Sequence, residues 1–216
     1  MTSPRVPDPP ANIGELDLEL MQWDAPLFRW FRRDRGPTEF NPGRGMGRFH
    51  PIQDAKGKSI PTLYCATDRA GAAMETVFRT TPADAVPRAV PRKLIDQYDG
   101  TLFVMSRVVA ILPLWGNNLR RLRLTRSRLL EPGPIHYPRT ARWAEALHRA
   151  CPNIAGLAWH SRQFDGSTCL VLFGDRIRPA KLHRLPDVGS STDTAMPAYI
   201  ELLKIAAAAD ITIYEA

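Results

Sequence analysis

The sequence predicts an α+β protein built as one domain, and three observations carry that prediction. Runs rich in β-branched and aromatic residues at 26–33, 62–66, 100–112 and 156–174 read as strands. Stretches at 68–79, 140–151 and 198–209 read as helices, the first two with apolar residues at helical spacing. The 216 residues suffice for one full hydrophobic core, and 44% hydrophobic with 24% charged residues is the balance of a soluble globular chain.

Composition narrows the function classes. No apolar run approaches membrane-spanning length, and the N-terminus lacks the basic-then-apolar build of a signal peptide. A cytoplasmic protein with no membrane association is therefore expected. Cys65, Cys151 and Cys169 show no disulfide or metal spacing, and Cys65 and Cys169 sit in apolar runs as buried thiols. The histidines (His50, His136, His148, His160, His183) show no ligand spacing either, so no metal is expected. Lys and Arg exceed Asp and Glu by 29 − 22 = 7. That excess, mostly arginine, points to an anionic partner: nucleic acid, a nucleotide or an acidic protein.

Taken in order, residues 1–15, with Pro4, Pro7, Pro9 and Pro10, read as a flexible arm before a single domain over 16–216. Leu16 to Met21 reads as a short helix or an edge segment. Pro26 to Arg33 is a strand with Phe28 and Trp30 on one face and Arg29 and Phe31 on the other. Arg29 on that apolar edge either meets an anion or is solvated. Gly36 to Gly47 is a loop in which Gly43, Gly45 and Gly47 would let backbone N–H groups approach a ligand. Arg48 follows at once, and a guanidinium is a natural bidentate partner of phosphate.

Thr62 to Ala66 is a strand that turns Leu63 and Cys65 to the core and Tyr64 away. Asp68 is the expected N-cap of the next helix, whose core stripe is Ala70, Ala73, Met74, Val77 and Phe78. Glu75 falls on its flank above Gly71 and Ala72, whose small size would leave room for a ligand; the alternative is an i, i+4 pair with Arg79. Pro91 to Tyr98 reads as a short helix and Gly100 to Leu112 as one central strand. Leu119 to Arg128 sets Arg120, Arg121, Arg123, Arg126 and Arg128 around three leucines. Without stacking aromatics that cluster is a solvated face or an acidic-partner surface rather than a nucleic-acid patch. Thr140 to Cys151 is an amphipathic helix stopped by Pro152. Residues 156–174 form a hairpin turning at Gln163-Phe-Asp-Gly, with Ser161 and Arg162 at the end of its first strand. There Ser161 either meets a ligand or caps the turn. Pro186 to Pro197 reads as a polar loop and Ala198 to Ala209 as a terminal helix.

Common chemistries fail. No serine lies in Gly-x-Ser-x-Gly, and adjacent His160 and Ser161 point to opposite faces of a strand. The glycines at 43, 45 and 47 precede Phe49-His-Pro instead of a helix, so they are no dinucleotide fingerprint, and no P-loop is present. Arg48 for a phosphate and Glu75 for a sugar hydroxyl or developing cation remain as a nucleotide-chemistry set.

At these residues the sequence resembles the RES-domain toxins of bacterial RES–Xre toxin–antitoxin pairs. The resemblance rests on Leu27-Phe-Arg29, Gly45-Met-Gly-Arg48-Phe, Leu63-Tyr64-Cys-Ala, Ala73-Met-Glu75 and Trp159-His-Ser161-Arg162, followed by Leu170-Val-Leu-Phe173. It spans roughly residues 26–175, with Met46 in place of a second glycine and Phe49-His50 in place of Trp-Asn. It implies an ADP-ribosyltransferase-like (diphtheria-toxin-like) fold with mixed sheets and flanking helices, and NAD as substrate. The implied chemistry is cleavage of the nicotinamide–ribose bond, by hydrolysis or phosphorolysis, or ADP-ribosylation of a host protein. Arg48, Glu75 and Ser161 would be catalytic. Arg29, Gly47, Arg48, Tyr64 and Arg162 would bind NAD, with Arg48 and the glycine N–H groups on the pyrophosphate and Tyr64 against the nicotinamide. An Xre-type antitoxin would be the partner in a hetero-oligomer, touching nucleic acid only through that antitoxin. A basic RNA-binding or RNA-cleaving protein is the reading from another class, and it leaves Glu75 and the glycine loop idle.

Overall fold

The computed structural model describes residues 6–81, 84, 86–186 and 198–215. The chain runs β1 (Met21–Trp23), β2 (Leu27–Arg32), β3 (Ile52–Gln53), β4 (Ser59–Ile60), β5 (Thr62–Ala66) and α1 (Arg69–Thr76). It continues β6 (Ala89–Pro91), α2 (Arg92–Ile95), β7 (Tyr98–Met105), β8 (Val109–Pro113), α3 (Gly116–Arg121) and α4 (Arg126–Leu129). Then come α5 (Tyr137–Ala150), β9 (Ile154–His160), β10 (Thr168–Phe173), β11 (Leu182–Leu185), α6 (Ala198–Ala208) and β12 (Thr212–Tyr214).

One mixed, curled sheet dominates, in the order β1-β8-β9-β10-β5-β2-β7-β11. The β8–β9 pair is parallel, while β9–β10, β10–β5 and β2–β7 are antiparallel. This is the mixed α+β architecture that the alternating strands and amphipathic helices predict. Both faces are apolar, because successive side chains of a buried strand feed two cores. Leu63, Cys65, Leu170 and Leu172 enter one cluster with Leu27, Phe103 and Ile111. Ala66, Val171 and Phe173 enter the other with Met74 of α1, Phe78 just after it, Trp143 and Leu147 of α5, and Leu202 of α6.

Local chemistry sets the ends of the elements. Asp68 caps α1 as expected, its carboxylate accepting from Gly71 N at 2.7 Å. The β9–β10 hairpin turns at Asp165-Gly166, where Gly166 takes φ +89°. The 140–151 helix starts three residues early, with Pro138 in its first turn.

Several expectations need correction. Residues 100–112 are not one strand. The chain breaks after Met105, β7 pairs with β2, and β8 crosses to the far side of the sheet beside β9. The reason is the polar Ser106-Arg107 pair, too short a signal to read against ten β-forming neighbours. The 91–98 helix shrinks to α2, because Tyr98 already pairs with Arg32. Residues 6–15 are not a loose arm. Val6 is fully buried, Trp143 Nε1 donates to Pro7 O at 2.7 Å, and Arg139 Nη1 donates to Val6 O at 3.2 Å. The large faces of α5 need a cover, and this segment supplies it. The expected loop at 186–197 lies, beyond Pro186, outside the described residues.

Candidate active site

Four elements converge on one cleft: the loop over residues 41–50, β5, α1 and the end of β9. One lobe, of about 580 Å³, is lined by Arg29, Arg35, Arg44 and Tyr64 among others. Its neighbour, of about 300 Å³, shares Arg44, Tyr64 and Thr76 with it and adds Arg48, Glu75, Trp159 and Arg162. The two form a continuous arginine-lined trough with a carboxylate at its inner end, large enough for a nucleotide-sized ligand.

Glu75 is the best-held group there. Its Oε1 accepts from Ser161 Oγ at 2.7 Å and from Arg162 N at 3.2 Å. Its Oε2 faces Arg48 Nη1 at 3.6 Å. Two hydrogen-bond donors and one ion-pair partner hold this largely buried carboxylate in place. The alternative pair with Arg79 is therefore displaced by partners 27, 86 and 87 residues away in sequence. The turn-cap reading of Ser161 holds, and the same hydroxyl also reaches Glu75. Its hydroxyl donates to Glu75 while accepting from Gln163 N and Phe164 N, both at 3.1 Å, so the turn cap is also what aims the hydroxyl.

Arg48 lies only 5% exposed, at 5.9 Å over the Trp159 ring. Its carbonyl accepts from Thr140 Oγ1 of α5, which anchors the loop from behind. Its Nε has no partner among the described residues, so part of the guanidinium is uncommitted. The loop itself departs from the expected cradle of free N–H groups. Gly43 N and Arg44 N both bond Asn41 Oδ1, and Gly47 N donates to His50 O at 2.9 Å. Gly47 instead gives space: a Cβ there would meet the Tyr64 hydroxyl at 3.3 Å. Gly71 likewise makes no room for a ligand, because a Cβ would lie 1.9 Å from Ser167 Oγ. Ala72 lines, with Glu75, only a separate small cavity of about 20 Å³.

Tyr64 accepts from Phe49 N at 2.9 Å and sets its ring edgewise to Trp159, centroids 6.0 Å apart. Burial raises its phenol far above the ordinary value, so it stays neutral. Arg29 lies in the outer lobe with its Nη1 donating to Glu39 O at 2.7 Å and to Pro37 O at 3.3 Å. Burial lowers its pKa to about 10, against the opposing pull of Cys65 and Glu39, and the group remains cationic near neutrality. The Arg162 side chain turns from Glu75 to Glu131 O at 2.9 Å, so its backbone and not its guanidinium meets the carboxylate.

The structure thus brings Arg29, Gly47, Arg48, Tyr64, Glu75, Ser161 and Arg162 to one cleft. Sequence reasoning missed Trp159, a fully buried ring that walls the inner end; its place two residues before Ser161 was the available signal. It also missed Arg126, assigned with its neighbours to an outer face. Arg120 and Arg123 are exposed, but Arg126 Nη2 donates to Ser161 O at 2.8 Å. Among the described residues no group of His, Cys, Asp or Glu could hold a metal ion, and no helix is long and apolar enough to cross a membrane.

A family model described as RES domain matches residues 23–196. No curated protein matches the chain. Among solved structures, the chain is similar to one in the M. tuberculosis MbcT–MbcA toxin–antitoxin complex, with TM-score 0.53 and 16% identity. That match covers 77% of this chain and 84% of the other, and at this identity it speaks to the fold.

Proposed function

This chain belongs to the RES domain family, and from that premise we propose that it is the toxin of a toxin–antitoxin pair that breaks the nicotinamide–ribose bond of NAD. The observation that carries the reading is the Glu75 carboxylate, held by Ser161 and Arg162 N at the inner end of an arginine-lined trough. Breaking a glycosidic bond to nicotinamide develops an oxocarbenium-like cation on the ribose, and a fixed carboxylate beside that carbon lowers its energy. Ser161 and the Arg162 amide hold Glu75 in place. Arg48, with Nε uncommitted, and Arg29 and Arg44 supply cations for the pyrophosphate. Tyr64 and Trp159 supply an apolar wall against which nicotinamide can lie and leave.

An enzyme of this activity needs restraint in the cell that makes it. A cognate Xre-type antitoxin fits that need, and likeness to a chain from a toxin–antitoxin complex supports a protein partner. The acceptor is water or phosphate; a host protein side chain is the transferase alternative. Incubating pure protein with NAD, with and without phosphate, and identifying the products tests this. Free nicotinamide with ADP-ribose or its phosphate supports the proposal, and intact NAD overturns it. ADP-ribose found only on protein selects the transferase.

A further inference from the structure

The peptide group joining Ser161 and Arg162 touches charge at both ends. Its carbonyl accepts from Arg126 Nη2 at 2.8 Å, and its N–H donates to Glu75 Oε1 at 3.2 Å. A trans peptide points these two bonds in opposite directions, so guanidinium, amide and carboxylate line up along one dipole. Each bond polarises the amide in the sense that strengthens the other.

Arg126 is itself held. Its Nε donates to Glu131 Oε1 at 3.0 Å, and the Glu131 carbonyl accepts from Arg162 Nη1 at 2.9 Å. Arg126 and Arg162 are thus bracketed by one acidic residue after α4, and α4 is pinned by fully buried Leu129. The remaining polar atoms of Ser161 are also engaged: its N–H meets Ser167 O at 2.9 Å, and its hydroxyl makes the three bonds described above. Among the described residues, the Arg126 contact is the one charged contact on this peptide's carbonyl, on the side away from Glu75.

We propose that Arg126 is a positioning residue: by gripping the carbonyl of the Ser161–Arg162 peptide it orients that amide and the Ser161 hydroxyl toward Glu75. It acts through the peptide and touches no substrate. The basic cluster of 119–128 therefore divides by function: Arg126, 36% exposed, reaches the Ser161 carbonyl, while Arg120 and Arg123 face solvent. The inference rests on the reading of Glu75 as the group that acts on NAD.

The test compares wild type, Arg126→Met, which keeps the aliphatic stem, and Arg126→Lys, which restores the charge. NAD turnover and the hydrogen exchange of the Arg162 amide are measured on each folded protein. The expected result is that Arg126→Met lowers kcat about tenfold, the factor of one hydrogen bond to a charged group, with KM within about twofold. Arg126→Lys should recover most of that loss. Exchange of the Arg162 amide should speed up by about the same factor in Arg126→Met and slow again in Arg126→Lys. Wild-type kcat in Arg126→Met overturns the inference and leaves NAD cleavage standing. If wild type does not cleave NAD, the functional reading falls and the exchange data decide: unchanged Arg162 protection in Arg126→Met overturns the bracket, and lost protection restored by lysine upholds it.

Discussion

Ser161 Oγ donates to Glu75 Oε1 at 2.7 Å across 86 residues of sequence, joining the end of β9 to the last turn of α1. The same hydroxyl accepts from two turn amides, so one atom joins the Glu75 carboxylate to the hairpin turn.

Ser161→Ala should therefore lower both activity and stability. Losing a hydrogen bond to a carboxylate is worth about 1.5–3 kcal/mol, so kcat should fall on the order of tenfold to a hundredfold. The amides of Gln163 and Phe164 lose their acceptor, so Tm should fall as well. Steady-state kinetics with thermal melts checks this; an alanine variant with wild-type kcat would contradict it.

Arg48→Ala removes the cation that faces Glu75 Oε2 in a site where both side chains are largely buried, 5% and 14% exposed. Breaking one side of a buried pair costs on the order of 3–5 kcal/mol, because the other charge stays behind. Arg48→Lys keeps the charge but not the fork, so it should regain most of the stability and little of the NAD affinity. Denaturant unfolding and equilibrium binding separate the two effects.

Gly71→Ala should destabilise the fold although alanine favours helices. A Cβ at this position would stand 1.9 Å from Ser167 Oγ and 2.4 Å from its Cβ, and Ser167 is fully buried. Overpacking of this kind costs about 1–3 kcal/mol. Adding Ser167→Gly should restore most of it, since both clashing atoms then go. A single variant as stable as wild type would refute the packing.

Stability should fall as the solution is acidified through about pH 6.5. His50 is 3% exposed and His148 8%, and burial holds both imidazoles below the ordinary value near 6.5. At His148 the Arg176 cation adds to the lowering that burial leads, while Asp175 opposes it. The unfolded chain takes up these protons first, so it binds more protons just below pH 6.5 and the native state loses ground until the folded groups titrate too. His50 holds the glycine loop in its neutral form, with Nε2 on Arg44 O at 2.9 Å and Nδ1 accepting from Thr62 Oγ1 at 2.8 Å. Melts between pH 8 and 5 should show the decline, and His50→Gln should flatten part of it. An equal slope in that variant would remove His50 from the account.

Legibility followed the range of each signal. The Asp68 cap, the Asp165-Gly166 turn and the apolar stripe of α5 depend on neighbours within a few residues, and all three were readable. So were Arg48, Glu75 and Ser161 as a set, although not the contacts among them. The division of 100–112 was hidden because two polar residues are weak punctuation, and its strands go to opposite sides of the sheet. The β6–β12 pair escaped because each strand is three residues long and their partners lie over a hundred residues apart. Arg126 was obscured by its arginine neighbours, since nothing in a basic run says which member reaches Ser161.

The account turns on Glu75 acting on NAD. Purified wild type and Glu75→Gln, each shown folded by its melt, should be incubated with NAD while released nicotinamide is quantified over time. The amide keeps the size and one acceptor oxygen for Ser161 and the Arg162 amide, but carries no charge to stabilise a developing cation. Nicotinamide should accumulate with wild type and fall by a factor on the order of a hundred or more in Glu75→Gln, with NAD binding kept. No nicotinamide from wild type, or equal release from Glu75→Gln, would contradict the assignment.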